Sequence, residues 1–178
     1  MFSRRAALVA TALLLAGLTG CAGTPAATPT PTPTGFASEE EAFAAAEETY
    51  ELYNAATNAI RLDDPATFDG VLDLTVGDFN AHQRETLSQM HAAGWTVKGE
   101  TRYEGLDPQS FDRATQSVVI EVCVDVSRVE VLDVAGESVV SENRAERQAA
   151  SIVLQPAHTS TGLALAHSER VEDPECGP

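Results

Sequence analysis

Hydrophobic positions along this chain change their period once, at Gly94, and the change divides the sequence into a helical half and a sheet half. Upstream, Phe43, Ala46, Tyr50, Tyr53, Thr57 and Ile60 recur at three- and four-residue steps, while Glu40, Glu47, Glu48 and Glu51 fill much of the remainder. That spacing puts the aromatic residues on one side of a long amphipathic helix. Ser38-Glu39-Glu40-Glu41 predicts its start. The serine accepts from first-turn amides, Glu41 reaches back, and three acids suit the positive end of the helix dipole. Asp64-Pro65 predicts an end near Leu62 and a short second helix to about Leu74 that buries Phe68, Val71 and Leu72. A third helix is expected from about Asp78 to Ala93, with Phe79, Leu87 and Met90 inward and Gly94 as its left-handed terminator.

Downstream the period is two. Trp95, Val97 and Tyr103 belong to a first strand interrupted at Gly99. Val118, Ile120, Val122, Val124 and Val126 then share one face of a strand, with Val119, Glu121, Cys123 and Asp125 on the other. The phase slips by one before Val129 and Val131, which predicts a β-bulge near Ser127-Arg128. Asp133-Val134-Ala135-Gly136 is a hairpin turn whose return carries Val139 and Val140. A strand over about Arg144 to Gln155, a turn from Pro156 to Gly162 and a last strand over Leu163 to Val171 complete an antiparallel meander. Helices followed by such a sheet make an α+β fold.

The first 37 residues follow neither pattern. Ala6 to Leu18 is an apolar run of about thirteen residues behind Arg4 and Arg5, too short for the roughly 20 residues of a membrane-spanning helix and suited to a signal peptide. It closes on Leu18-Thr19-Gly20-Cys21, which resembles the lipobox of bacterial lipoproteins. The resemblance implies cleavage before Cys21 and a diacylglyceryl group on its sulfur, whose two acyl chains suffice for stable anchoring. The expected location is the outer face of the cytoplasmic membrane. From Cys21 to residue 37 runs a linker centred on Thr28-Pro29-Thr30-Pro31-Thr32-Pro33-Thr34. In polyproline II conformation such a spacer reaches on the order of 50 Å. The expected organisation is therefore a signal peptide over 1–20, a lipidated linker over 21–37 and a folded domain over 38–178.

Charge narrows the partners. The chain carries 11 basic and 27 acidic residues, net −16, and loss of Arg4 and Arg5 leaves the processed form at −18. No Lys/Arg cluster exists to release phosphate counterions, so nucleic acid is not an expected partner. With Cys21 assigned to the lipid, Cys123 and Cys176 remain as an even pair in an oxidising compartment, and a disulfide between them is expected. Two free thiols or a metal pair are the alternatives, although two cysteines without an adjacent histidine do not make a zinc site.

Three helices leading into a bent antiparallel sheet, with an aromatic-faced first helix, resemble the cone-shaped fold of the nuclear transport factor two-like superfamily, which includes SnoaL-like and ketosteroid-isomerase-like proteins. More narrowly, Tyr50-x-x-Tyr53, Gly94-x₄-Gly99, Val122-Cys123-x-Asp125-x-Ser127, Asp133-x-x-Gly136 and the terminal Cys176 resemble a group of actinobacterial lipoproteins with this domain. The resemblance implies a pocket between the first helix and the concave face of the sheet, used for catalysis in some members and for binding or partner contact in others, and a homodimer formed through the sheet in some relatives. Fold alone does not choose between these uses.

Tyr50, Tyr53 and Trp95 are the candidate pocket lining, offering apolar walls with polar tips, or else plain core residues. Asp125, a strand-borne carboxylate among valines, is the candidate general base if the protein is an isomerase, dehydratase or hydrolase, with a histidine as the alternative. His82, His91, His158 and His167 show no metal-ligand spacing, and no nucleophile elbow, phosphate loop or calcium loop is present. No catalytic residue is therefore assigned, no metal or other cofactor is expected, and a non-enzymatic module that binds a small apolar ligand or an envelope protein is favoured over an enzyme.

Overall fold

The computed structural model describes residues 35–173 and Cys176; the apolar leader, Cys21 and the linker to residue 34 lie outside the described residues. The element order is α1 (Glu39–Asn58), a 3₁₀ turn (Pro65–Phe68) running into α2 (Asp69–Leu72), α3 (Gly77–Ala92), then β1 (Thr96–Lys98), β2 (Arg102–Asp112), β3 (Ser117–Asp125), β4 (Glu130–Leu132), β5 (Arg147–Pro156) and β6 (Leu163–Arg170). Helices come first and the sheet follows, as expected. Among the described residues no helix is long and apolar enough to cross a membrane.

Ser38 caps α1, its Oγ accepting from Glu41 N at 3.1 Å. Glu41 reaches back one residue further than the usual box and accepts from Ala37 N at 2.9 Å. Ser38→Ala is expected to cost about 1 kcal/mol. Urea unfolding reads it as a lower midpoint at unchanged slope; an unchanged midpoint would show that the Glu41 contact holds the helix end by itself.

The buried face of α1 is Ala42, Ala46, Thr49 and Tyr50, with Phe43, Tyr53 and Thr57 half-buried along its flank. The stripe expected from the aromatic residues is thus rotated toward the alanines. Small side chains at 42 and 46 let the helix backbone approach the sheet, and the larger rings pack beside that contact line. α1 ends four residues before Leu62, because Asn58 exchanges two 2.8 Å hydrogen bonds with the backbone of Thr101 and the chain then turns. Ile60 and Leu62 leave the helix to join Phe68, Leu72, Leu87, Met90 and Trp95 in a second, smaller core.

The main sheet is an antiparallel meander in the order β2-β3-β5-β6. One face carries Val118, Ile120, Val122, Ile152, Leu154, Leu163 and Leu165, which close on Ala42, Ala46 and Tyr50 of α1. Both edge strands and β3 touch α1, so the sheet curls around the helix. β2 bends by two register shifts, between Glu104 and Leu106 and between Pro108 and Ser110.

No bulge occurs at Ser127-Arg128. The phase slip there is a turn that carries the chain out of the main sheet: Val129 N donates to Val126 O, and Arg144 Nη2 donates to Val126 O and Val129 O at 2.9 and 2.8 Å. β4 then pairs with β1 as a separate two-stranded arm, Val97 opposite Val131. Likewise Gly99 does not interrupt one strand; it separates two strands that belong to different sheets. The turn at Asp133 to Gly136 forms, with its return reduced to one bridge, Leu132 to Ser138, and a bond from Val139 N to Val131 O.

Cys123 and Cys176 form the expected disulfide. With Ala149 and Val171 they make a small apolar cluster on the face of the sheet away from α1. The bridge fastens the chain end to β3, 53 residues earlier.

Candidate functional site

Two cavities lie side by side between α1, α3 and the strands. The inner one, about 190 Å³, is bounded by Tyr50, Tyr53, Asn54 and Thr57 of α1, Phe79 of α3, and Val124, Ala150, Ile152, Leu165 and Ser168 of the sheet. The outer one, about 270 Å³, is bounded by Thr57, Asn58, Ile60 and Leu62, by Gln83, Thr86, Leu87 and Met90 of α3, and by Val97, Val129 and Val131 of the β1–β4 arm. Thr57 and Thr101 line both. Between the two, Gln83 Nε2 donates to the Tyr53 hydroxyl oxygen at 2.7 Å.

Tyr50 and Tyr53 of α1 both border the inner cavity. Tyr50 is core, 4% exposed, with its ring edge-on to Tyr103 at 5.0 Å between centroids. Tyr53 stands between Tyr50 and Phe79, at 6.1 and 6.4 Å. Burial pushes both phenols above the usual tyrosine range, Tyr50 further than Tyr53, so both stay protonated and neutral.

Trp95 does not join them. It sits in the second core and borders a different cavity of about 240 Å³, with Ile60, Arg61, Leu62, Asp63, Thr96 and Val97. Gly94, at φ +66°, ends α3 and sends the chain away from the tyrosines; a Cβ there would press within 2.8 Å of Val134 Cγ1.

Asp125 lies at the end of β3, half-exposed, and lines none of these three cavities. Hydrogen bonds from Ser127 hold its carboxyl below the usual range, and Arg147, opposite it on β5, acts in the same direction. A general base needs the opposite shift, so the raised-pKa role considered for Asp125 is not what this geometry provides. The four histidines are exposed and line none of the three cavities. His91 Nδ1 lies 2.6 Å from Leu62 O, at the C-terminal end of α3. Among the described residues no group of three or more His, Cys, Asp or Glu could hold a metal ion.

Neither the inner nor the outer cavity is lined by Asp, Glu, Lys, Arg or His, in a chain of which 21% is charged. The sequence reading missed Gln83, Thr101 and Phe79 as lining residues. Phe79 carried an inward signal; Gln83 and Thr101 carried none, since polar residues at such positions read as solvent-facing.

No family model and no curated protein matches the chain. Among solved structures it is similar to the intermembrane space region of the chloroplast protein ARC6, with TM-score 0.52 and 10% identity over 72% of this chain and 95% of that one. It is also similar to a putative aromatic ring hydroxylase from Novosphingobium aromaticivorans, with TM-score 0.47 and 12% identity over 74% and 94%. A putative polyketide cyclase from Xanthomonas campestris pv. campestris gives TM-score 0.35 and 12% identity over 72% and 90%. At 10% identity the likeness to the first of these concerns the fold alone: N-terminal helices packed on a bent antiparallel sheet.

Proposed function

We propose that this chain is a lipid-anchored extracytoplasmic lipoprotein, held on the outer face of the cytoplasmic membrane by a diacylglyceryl group on Cys21, whose domain is a non-catalytic binding module for a small apolar ligand. The observation that carries the binding role is the pair of cavities beside α1, lined by apolar and uncharged polar side chains and without an ionisable group other than two neutral tyrosines. Such lining favours burial of apolar surface and offers no acid or base to a reacting centre.

The placement of the chain entry fits this reading. Phe36 N donates to Gln116 Oε1 at 2.6 Å and Arg113 Nη1 to Ala37 O at 3.4 Å, so the segment leading from the linker is fixed at the tip of the β2–β3 hairpin. The outer cavity opens beside Asn58, at the other end of a 20-residue helix. At 1.5 Å per residue the cavity lies about 30 Å from the Ser38 end of α1.

Two measurements test the proposal. Cys21→Ala is expected to move the protein from the membrane fraction to the soluble fraction and to remove the acyl mass; membrane retention of the variant would refute the anchor. The Cys21→Ser chain, otherwise complete, should bind the neutral fluorophore N-phenyl-1-naphthylamine saturably. Ala150→Leu, which fills the inner cavity, should abolish that signal, and Asp125→Asn should leave it unchanged. Absence of saturable binding would remove the ligand role and leave an envelope protein as the candidate partner.

A further inference from the structure

The inner cavity contains a buried polar group that the fold leaves without a partner. Tyr50 is 4% exposed, yet its hydroxyl makes no hydrogen bond with any described residue, whereas the neighbouring Tyr53 oxygen accepts from Gln83. Among the described residues, the side-chain atom both enclosed by protein and unpartnered is Arg147 Nε. The Tyr50 oxygen is therefore not sealed in, and the space that Tyr50 borders is the inner cavity. Buried tyrosines ordinarily find a partner for the hydroxyl. Here Tyr103, edge-on at 5.0 Å, and Tyr53, at 6.1 Å, hold the ring in place, so it does not swing to reach one elsewhere. Burial keeps the phenol protonated, and a phenol donates more readily than it accepts, because its oxygen lone pairs are drawn into the ring.

We propose that the inner cavity holds a neutral carbonyl compound of about one ring's size, whose carbonyl oxygen accepts a hydrogen bond from Tyr50. This rests on the ligand-binding reading above and names the ligand class for the inner cavity alone. The size follows from the volume, about 190 Å³, set against the roughly 150 Å³ that admits benzene. Val124, Ala150, Ile152 and Leu165 receive the apolar body. Asn54, one turn beyond Tyr50, and Ser168 on β6 also line this cavity without a partner among the described residues, and they add neutral hydrogen-bonding groups. A carboxylate would lose its hydration with no cation in the lining to replace it.

Acetophenone and α-methylstyrene share one shape, the C=O of the first standing where the second has C=CH₂, and benzoate adds a charge. Titrations of the Cys21→Ser chain, with and without Tyr50→Phe, are read from the Ile152 and Leu165 methyl resonances. Tyr50→Phe is expected to weaken acetophenone about fivefold and to leave α-methylstyrene within about twofold. Benzoate should bind about tenfold more weakly than acetophenone or worse. Because the hydroxyl has no partner in the protein, the same substitution should leave the melting temperature of the ligand-free chain unchanged or raised. A drop of several degrees would reveal a protein partner for the hydroxyl and overturn the proposal. Equal losses for acetophenone and α-methylstyrene, no loss for acetophenone, or benzoate binding as tightly as acetophenone would also overturn it. So would failure of acetophenone to bind a chain that still takes up N-phenyl-1-naphthylamine, and the cavity would then remain a binding site of another class. If neither the fluorophore nor any of these probes binds, the ligand-binding reading fails and the carbonyl assignment with it.

Discussion

Replacing Gly99 by alanine is expected to dislodge the β1–β4 arm and, with it, the outer wall of the ligand site. Gly99 holds φ +81°, and a Cβ built there overlaps the backbone carbonyl of Arg128, which has no side-chain freedom with which to yield. The backbone conformation and the overlap each cost on the order of 1–3 kcal/mol. The arm consists of three residue pairs, Thr96 with Leu132, Val97 with Val131 and Lys98 with Glu130. So short a ladder has little to set against that strain, and local detachment is the cheaper response. Hydrogen exchange should show loss of protection at Val97 and Val131 with Ile120 and Ile152 still protected, and binding of the neutral probe should fall with it. Gly136→Ala is the control: φ is again +81°, and nothing lies within 4 Å of the added Cβ. If both variants behave alike, backbone strain alone accounts for the effect and the close approach at Arg128 does not matter.

Cys176→Ser is expected to lower stability by about 3 kcal/mol, a melting temperature lower by roughly 10 °C. The bridge closes a span of 53 residues between β3 and the chain end, and its loss widens the unfolded ensemble. It also frees the tail from Cys123, Ala149 and Val171 on the face of the sheet away from α1. Reductant should bring the unsubstituted chain down to the variant and leave the variant where it is. A melting temperature indifferent to both treatments would mean that the bridge is not formed, or that the tail docks without it. The ligand cavities lie on the opposite face, so the affinity of the reduced, folded protein should be unchanged.

How far the sequence foretold this structure depended on whether a signal was local. Ser38, Asp64-Pro65 and Gly94 mark boundaries through hydrogen bonds and dihedral angles within a few residues, and each falls where it was expected. β3 alternates without interruption, so its helix-facing residues could be named in advance. β2 could not be read in the same way. Its half-buried residues are Tyr103, Leu106 and Phe111, spaced by three and then five, and each odd interval conceals one extra residue absorbed by a register shift. The arm escaped notice because its pairing joins residues more than thirty apart and each strand is only three residues long. For the site, Tyr50 and Tyr53 were legible as an aromatic face; Trp95 was misplaced because the turn at Gly94 delivers it to the second core with Leu62, Phe68 and Leu87, a choice between two cores that no local signal marks. Gln83 is the instructive omission. A glutamine on a helix reads as solvent-facing until its partner, Tyr53 thirty residues earlier, is brought beside it.

Ligand binding in the cavities between α1, α3 and the sheet is tested most directly by the methyl resonances of the Cys21→Ser chain during titration with N-phenyl-1-naphthylamine. Ile152 and Leu165 report on the inner cavity, Met90 and Val97 on the outer cavity, and Val119 and Val153 on the far face of the sheet. The expected result is saturable movement of Ile152 and Leu165 while Val119 and Val153 stay still. Movement confined to Val119 and Val153, or no movement at any of the six, would contradict it.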